Sequence, residues 1–267
     1  MIDHLLRRLR QSGTLSTAAE LAIQKAIDRR VRLFGAREDL FHPGDLPETV
    51  WLVTAGIACR YHFLPNGQRQ ITGFLLPGDL FALRAPLGMP FDHHIRSITM
   101  LETLQLERAS VAAFGEPASG IGEVLCRAMA LQRAISREWV LNIGQRNAME
   151  RIAHLICELF KRLQTVGLTM ENRCLLPLTQ IDIAEAVALT PVHVNRMLMS
   201  MTRNGWLSFQ RSVLQIREMA RLAEVGAFDA SYLDFGAASD PGPRVSPTFR
   251  ASPRTPVTGE STTAPPP

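Results

Sequence analysis

The spacing of apolar residues divides the chain into three textures. Residues 15 to 30 carry Leu21, Ala22, Ile23 and Ala26 at helical steps, with Arg29 and Arg30 where cations suit a helix end, and predict a short entry helix. Between about residues 31 and 108 the runs VRLF, DLFHPGD, VWLVTAGIACRYHF, RQITGFLLPGDLF, HIRSITM and ETLQLE are short and rich in β-branched and aromatic residues. Gly35, Pro43-Gly44, Gly56, Pro65-Asn66-Gly67 and Pro77-Gly78 punctuate them, which predicts a compact antiparallel barrel or jelly roll. From Ile121 a helical pattern takes over. Ile121, Leu125, Ala128, Leu131, Ile135, Trp139 and Ile143 follow at steps of three or four on a helix about 27 residues long, flanked by Val124, Met129 and Val140. After a break near Gly144, Ala148, Ile152, Leu155, Leu159 and Leu163 predict another amphipathic helix that ends at Gly167.

Residues 177 to 216 read as two short helices, a tight turn and a β-hairpin. Thr179 with Asp182 three positions on is an approximate capping box for a helix over about 180 to 187. Thr190 caps a second helix with Pro191 at its first position, running to Asn204 and stopping at Gly205. Ile183, Ala184, Val187, Leu189, Val194, Met197, Leu198 and Met201 form one inward set, the pattern of a helix-turn-helix, although Ala188 stands where such turns most often have glycine. The opposite side of the second helix carries Val192, Arg196, Met199 and Arg203, flanked by His193, Asn195 and Ser200. A helix laid in a major groove needs a guanidinium for guanine O6 and N7, a small apolar group for a thymine methyl and polar groups for phosphates. Arg196, Val192 and the pair Thr190 and His193 fit those roles in order, with Pro191, Asn195 and Ser200 beside them. Trp206 to Phe209 and Val213 to Ile216, joined through Gln210, Arg211 and Ser212, make a two-stranded wing whose Arg211 can reach a phosphate. Arg203, Thr179 and Gln180 are further candidates for the DNA backbone. Palindromic sites are mostly read by two-fold dimers, so the long helix is the expected dimerisation element, through Ile121, Leu125, Ala128, Leu131, Ile135 and Trp139.

Composition narrows the class without naming a partner. With 267 residues, 46% hydrophobic residues and a mean hydropathy of +0.03, the chain reads as a soluble globular protein of about two domains. No run of 18 apolar residues exists and the first 13 residues lack a signal-peptide pattern, so no membrane partner and a cytoplasmic location are expected. A net charge of +4 permits nucleic-acid binding, and residues 177 to 217 hold four arginines against two acids. Cys59, Cys126, Cys157 and Cys174 are too scattered for a zinc knuckle or iron-sulfur cluster and read as buried small hydrophobes. His42, His62 and His154 are isolated, and His93 and His94, adjacent on a strand, would point to opposite faces. No Ser-His-Asp order, P-loop or GxGxxG is present, and neither an enzyme nor a cofactor or metal site is expected. The stretch after Gly236 is rich in Pro, Ser and Thr, cannot bury enough surface to fold, and should be disordered.

Taken together, VWLVTAGIACRYHFLPNGQRQITGFLLPGDLF and LTQIDIAEAVALTPVHVNRMLMSMTRNGWL resemble the Crp/Fnr family of bacterial transcription regulators over about residues 15 to 236. The resemblance implies an α+β chain: an antiparallel β-roll sensor of cyclic-nucleotide-binding type over 1–118, a dimerisation helix over 119–146, a winged helix-turn-helix over 147–236 and a tail over 237–267. It implies a homodimer that binds double-stranded DNA, meets RNA polymerase and answers to a small-molecule effector. The family's base-reading arginine falls on Arg196 and its phosphate-contacting hydroxyl on Thr190. An Arg-Glu pair used earlier in the helix falls on Pro191 and Val192, so the operator should differ.

The sensor departs from the nucleotide-binding pattern. Where that pattern has Gly-Glu for the ribose, this chain has Ala82 and Leu83. Phe91 and Asp92 stand where it has Arg-Ser for the cyclic phosphate. A cyclic phosphate buried without a guanidinium and beside Asp92 would be an unpaired charge, which argues against cyclic AMP. The family's oxygen-sensing branch uses an N-terminal cysteine cluster, and residues 1 to 30 contain no cysteine. Two alternatives remain open: a cyclic-nucleotide-responsive regulator with a shifted phosphate site at Arg84 or Arg96, and a dimeric adaptor that does not bind DNA.

Overall fold

The computed structural model describes residues 2–11, 14–113 and 120–234. The tail expected to be disordered and the boundary expected at residue 118 lie outside the described residues. Two helices lead in. In α1 (Ile2–Gln11) the leucines at 5, 6 and 9 form a buried stripe that takes Arg8 inside with it. α2 (Thr17–Ala26) starts at Ser16, whose side chain accepts from the Ala19 N–H. It ends sooner than its pattern predicts. Ile27 already pairs with Leu106 in a β ladder, so Arg29 and Arg30 belong to a strand and not to a helix end.

The strands β1 (Ile27–Phe34), β2 (Asp39–Phe41), β3 (Trp51–Ala55), β4 (Ala58–Phe63), β5 (Arg69–Leu75), β6 (Leu80–Phe81), β7 (His94–Ser97) and β8 (Leu101–Leu106) follow, then α3 (Arg108–Ala112). They form two antiparallel sheets, β1-β8-β3-β6 and β2-β7-β4-β5, the roll that the strand spacing predicts. Gly56 joins β3 to β4 at φ 84°, where a Cβ would collide with the Met100 carbonyl oxygen. The interior of the roll is apolar, built on Val53, Leu75, Phe81, Phe91, Ile95 and Leu101.

After the roll come α4 (Ile121–Gln145), α5 (Ala148–Thr165), β9 (Thr169–Met170), β10 (Arg173–Leu175), α6 (Gln180–Val187), α7 (Pro191–Arg203), β11 (Leu207–Gln210), β12 (Val213–Ile216) and α8 (Met219–Val225). A full capping box between Asn147 and Glu150 starts α5. The wing is larger than the expected two strands. β12 also pairs with β10, and β10 with β9, giving the order β11-β12-β10-β9. Strands of two and three residues are too short to leave an alternating pattern.

Two expectations about α4 and its surroundings are corrected. Ile121, Leu125, Leu131 and Trp139, assigned above to dimerisation, are buried within their own chain, and Ala128 and Ile135 pack against the same cores. The strongest apolar stripe covers the roll and α5, because that is where the most surface is removed from water. The face left open carries Cys126, Ala130, Arg133, Arg137, Val140 and Leu141. Cys126 is therefore exposed, whereas Cys59, Cys157 and Cys174 are buried as expected. Among the described residues no helix is long and apolar enough to cross a membrane.

A set of buried charges holds these parts together. Asp79, on the turn from β5 to β6, accepts from the Leu76 N–H (2.7 Å) and pairs with Arg8 of α1 (3.1 Å) and Arg162 of α5 (2.6 Å). Arg162 continues to Glu158 (3.1 Å), which also accepts from Trp139 Nε1 (3.1 and 3.2 Å) and the Tyr232 hydroxyl (2.9 Å). Burial works to raise the Asp79 pKa, but Arg8 and Arg162 hold it below the usual carboxylate range. At Glu158 burial prevails over Arg162 and the pKa is raised.

Two predictions follow from this packing. His154 is buried on α5, its Nδ1–H donating to the Gly226 carbonyl (3.1 Å). Its imidazole is pulled down to about 4, by burial first and by the Arg146 charge second. The unfolded chain, with an ordinary value of about 6.5, then takes a proton before the folded one. Stability from this group is full above about pH 6.5 and falls as the pH drops towards about 4, by about 3 kcal/mol in all. Urea midpoints across that range should show the slope and His154→Gln should remove most of it; an unchanged slope would assign the effect to the carboxylates. The second concerns Ala188, exposed between α6 and α7 at φ 54° and ψ 49°. That left-handed backbone strains any residue with a Cβ. Ala188→Gly should raise stability by about 0.5–1 kcal/mol after glycine's larger unfolded-state entropy is counted, and a lower urea midpoint would disprove the strain.

Candidate nucleic-acid interface

The reading head is built from two caps and one strained turn. At the start of α6 the Thr179 hydroxyl accepts from the Asp182 N–H (3.2 Å) and the Thr179 N–H donates to Asp182 Oδ2 (2.8 Å). Asp182 has a second task. Arg37, on the turn after β1, grips it with two bonds of 2.5 and 2.8 Å. Burial works to raise the Asp182 pKa, yet Arg37 and Thr179 hold it below the usual carboxylate range. Arg69 of β5 donates to Glu185 Oε2 from Nε (2.8 Å) and Nη2 (2.5 Å), and Gln70 Nε2 donates to the Glu185 carbonyl (2.6 Å). α6 is thus fixed to the β4–β5 side of the roll. The sequence reading missed Arg37, Arg69 and Gln70, because their partners lie more than a hundred residues away and no local pattern marks them.

The Leu189 N–H closes the turn on the Ala184 carbonyl (3.0 Å), and the Thr190 hydroxyl accepts from the His193 N–H (3.2 Å) to start α7 with Pro191 in its first turn. Val194, Leu198 and Met201 pack inward with Ile183, Ala184 and Val187, which fixes the rotation of α7. The outward crest is then Val192, Arg196, Met199 and Arg203, with Val192 73% and Met199 58% exposed. Among the described residues Arg196, Arg203 and Arg211 make no ion pair. The crest thus sets two exposed apolar side chains beside two exposed guanidiniums on one face of α7.

β11 and β12 are joined by the two-residue turn Arg211-Ser212, both at positive φ (50° and 64°), the twist that a tight hairpin demands. Gln210, expected in the connection, belongs to β11. The turn projects Arg211 beside the reading head. One groove between α6, α7 and the wing is lined by Thr179, Gln180, Asn195, Arg203 and Arg211. The structure therefore brings these five of the expected residues together. Thr190, Pro191 and His193 line a different groove, facing Phe63, Leu64 and Gln68 of the β4–β5 hairpin. Asn195 Nδ2 donates to Gln180 Oε1 (3.1 Å), so these two side chains are already partnered across the helices. Ser200 is partly buried on the flank of α7.

The positions compared above with a nucleotide site are filled by core. Ala82 and Leu83 are buried, and Phe91 stacks on Phe41 with ring centroids 4.7 Å apart. Asp92 is exposed and paired with Arg84 (2.6 Å) and His93 (2.6 Å). Arg96 donates from Nε to the Arg37 carbonyl (2.8 Å). Both arginines considered for a shifted phosphate site are thus engaged elsewhere.

Comparison with known proteins agrees with this architecture. The model of the cyclic nucleotide-binding domain matches residues 31–116, and that of the Crp-like helix-turn-helix domain matches residues 150–225. The nitrogen fixation regulation protein FixK of Bradyrhizobium diazoefficiens is 26% identical over 221 residues, covering 82% of this chain and 92% of its own. The transcriptional activator protein FnrL of Cereibacter sphaeroides is 27% identical over 216 residues, covering 79% and 86%. Among solved structures, FixK2 from Bradyrhizobium japonicum superposes with a TM-score of 0.66 at 25% identity, over 75% of this chain and 98% of that one. With both domain types in order and relatives matched along most of their length, the chain belongs to the Crp/Fnr family of transcription regulators, with a helix-turn-helix DNA-binding domain.

Proposed function

We propose that the chain works as a homodimer that reads a pseudo-palindromic operator, with half-sites about one helical turn apart. The observation that carries this reading is the crest of α7, where Arg196 stands exposed next to Val192 and, among the described residues, makes no ion pair. Arg196 has the fork that pairs with guanine, and Val192 the apolar surface that meets a thymine methyl. Thr190, His193 and Asn195 flank them. Phosphates are met by Arg203, by Arg211 at the wing and by the start of α6 at Thr179 and Gln180. Their place around one groove supports a single continuous track for the DNA backbone. The two monomers meet along the open face of α4, around Val140 (72% exposed) and Leu141 (51% exposed). RNA polymerase is the expected partner at the promoter.

Cyclic AMP does not fit as the effector. A phosphate at Phe91 and Asp92 would meet a stacked aromatic pair and a carboxylate, with no free guanidinium at those positions. The names of FixK and FnrL speak of nitrogen fixation and transcriptional activation in those proteins, and support transcription control here without choosing the target genes.

Site selection from a random duplex pool at one fixed salt concentration tests the reading, because phosphate contacts make every affinity salt-dependent. A two-fold symmetric site should be enriched to the same degree with and without cyclic AMP; enrichment only with cyclic AMP would sink the effector argument. On the selected site Arg196→Ala should cost about 1–3 kcal/mol and relax preference at one base position, while Arg211→Ala weakens all sequences alike. Uniform loss in both variants would remove Arg196 from base reading. For the dimer, sedimentation of the Val140→Asp, Leu141→Asp double variant should give a monomer, since two buried carboxylates face each other without a partner. A dimer that survives places the interface elsewhere.

A further inference from the structure

A second cluster of cations has no part in reading DNA. A small cavity lies between β4 and β5 of the roll, α1, α4 and α5, and the side chains of Arg8, Arg60 and Arg162 all border it. Arg8 and Arg162 are 3% and 4% exposed. Only two carboxylates answer these three guanidiniums, and both are fully used. Asp79 takes Arg8 on one oxygen and Arg162 with the Leu76 N–H on the other. Glu158 takes Arg162, Trp139 and Tyr232. Arg60 is left over. Among the described residues its guanidinium has no hydrogen bond or ion pair, and it passes over Gly73, where an added Cβ would lie 3.5 Å from Nη1. The Nε atoms of Arg8 and Arg162 are also buried without a partner.

A partly buried guanidinium beside two others, in a pocket with one positive charge in excess, is costly unless an anion completes it. Burial draws the Arg60 pKa down to about 10 and the neighbouring Arg162 adds to this against the pull of Asp79, so the group is still charged at neutral pH. The rest of the lining suits an oxyanion. Thr72 and Ser136 supply hydroxyls at the exposed rim, and Gln132 of α4 reaches in from the other side. The open space is about 30 Å³, on the scale of a small ion and not of a nucleotide.

We propose that this cavity is a binding site for a compact oxyanion, a phosphate or a carboxylate, received by Arg60 and completed by the hydroxyls and amide of the rim. The anion would tie β4–β5 to α4 and, through Arg162, to α5, which carries the reading head. Only this consequence, a change in operator affinity, rests on the transcription-factor reading; the binding itself does not. The site is separate from the positions of Ala82, Leu83, Phe91 and Asp92, none of which lines the cavity.

The test uses the full chain. Thermal unfolding is followed at constant pH and ionic strength in chloride, with inorganic phosphate in one series and acetate in another. Wild type should gain about 2–4 °C in phosphate or acetate at roughly ten times the dissociation constant. The anion that gives the rise identifies the class. Arg60→Met should show no rise and, in chloride alone, should melt at or above wild type because an unpaired charge is gone. An equal rise in both proteins would report general exclusion of the anion from the surface and overturn the proposal, as would no rise in either. Calorimetric titration of wild type keeps the test decisive if Arg60→Met does not fold: one saturable anion per chain supports the site, and no saturable heat refutes it. Operator binding measured on the same samples separates the two readings. Arg60-dependent anion binding without any operator binding would leave the site standing and bring down the DNA-reading proposal.

Discussion

The Asp79 carboxylate is the point on which the arrangement of this chain turns. It lies on a tight turn of the roll, and it is gripped from opposite sides by the first helix and by the helix that opens the DNA-binding half. A buried carboxylate between two guanidiniums is a poor source of net stability, since desolvation consumes most of the attraction. What it supplies is position. Removing any member leaves an uncompensated charge inside, so α1, the β5–β6 turn and α5 share one geometry. Arg8 Nη2 also donates to the carbonyls of Pro77 (3.1 Å) and Arg162 (3.3 Å), and Arg162 Nη2 to that of Phe74 (3.0 Å). The charges thus also satisfy backbone groups that burial would otherwise orphan.

From α5 outward the constraint is passed by packing. Ile152, Leu155, Ile156 and Leu159 share a core with Val187, Val194 and Met201, so α5 sets where α6 and α7 sit. The Arg37–Asp182 and Arg69–Glu185 pairs then tie α6 back to the roll. The roll is thus tied to α5 through Asp79 and to α6 through Arg37 and Arg69. The turn that carries the strained Ala188 lies between these ties and the free crest of α7.

How much of this was legible in the sequence depended on how local the cause was. Caps, the Pro191 start and the period of α7 act within a few residues, and both helices stand within a residue or so of where their signals place them. The strands of the roll were legible through their turns. α1 was not, because four apolar residues among four charges read as surface, and an arginine in such a helix reads as solvated. Only Asp79, some seventy residues on, makes burial of Arg8 acceptable. The stripe of α4 was read correctly as apolar and wrongly as a dimer seam. Periodicity reveals which face is buried, and it carries no information on whether the cover is the same chain or another.

The same distinction bears on the sensor. A cyclic nucleotide site requires a cavity in the roll and a cation inside it. Here Phe41, Phe81, Phe91 and Trp51 fill that interior with ring contacts of 4.7 to 6.3 Å, and Arg84 is drawn outward to Asp92. Aromatic filling raises the stability of the roll and removes the volume a ligand would need.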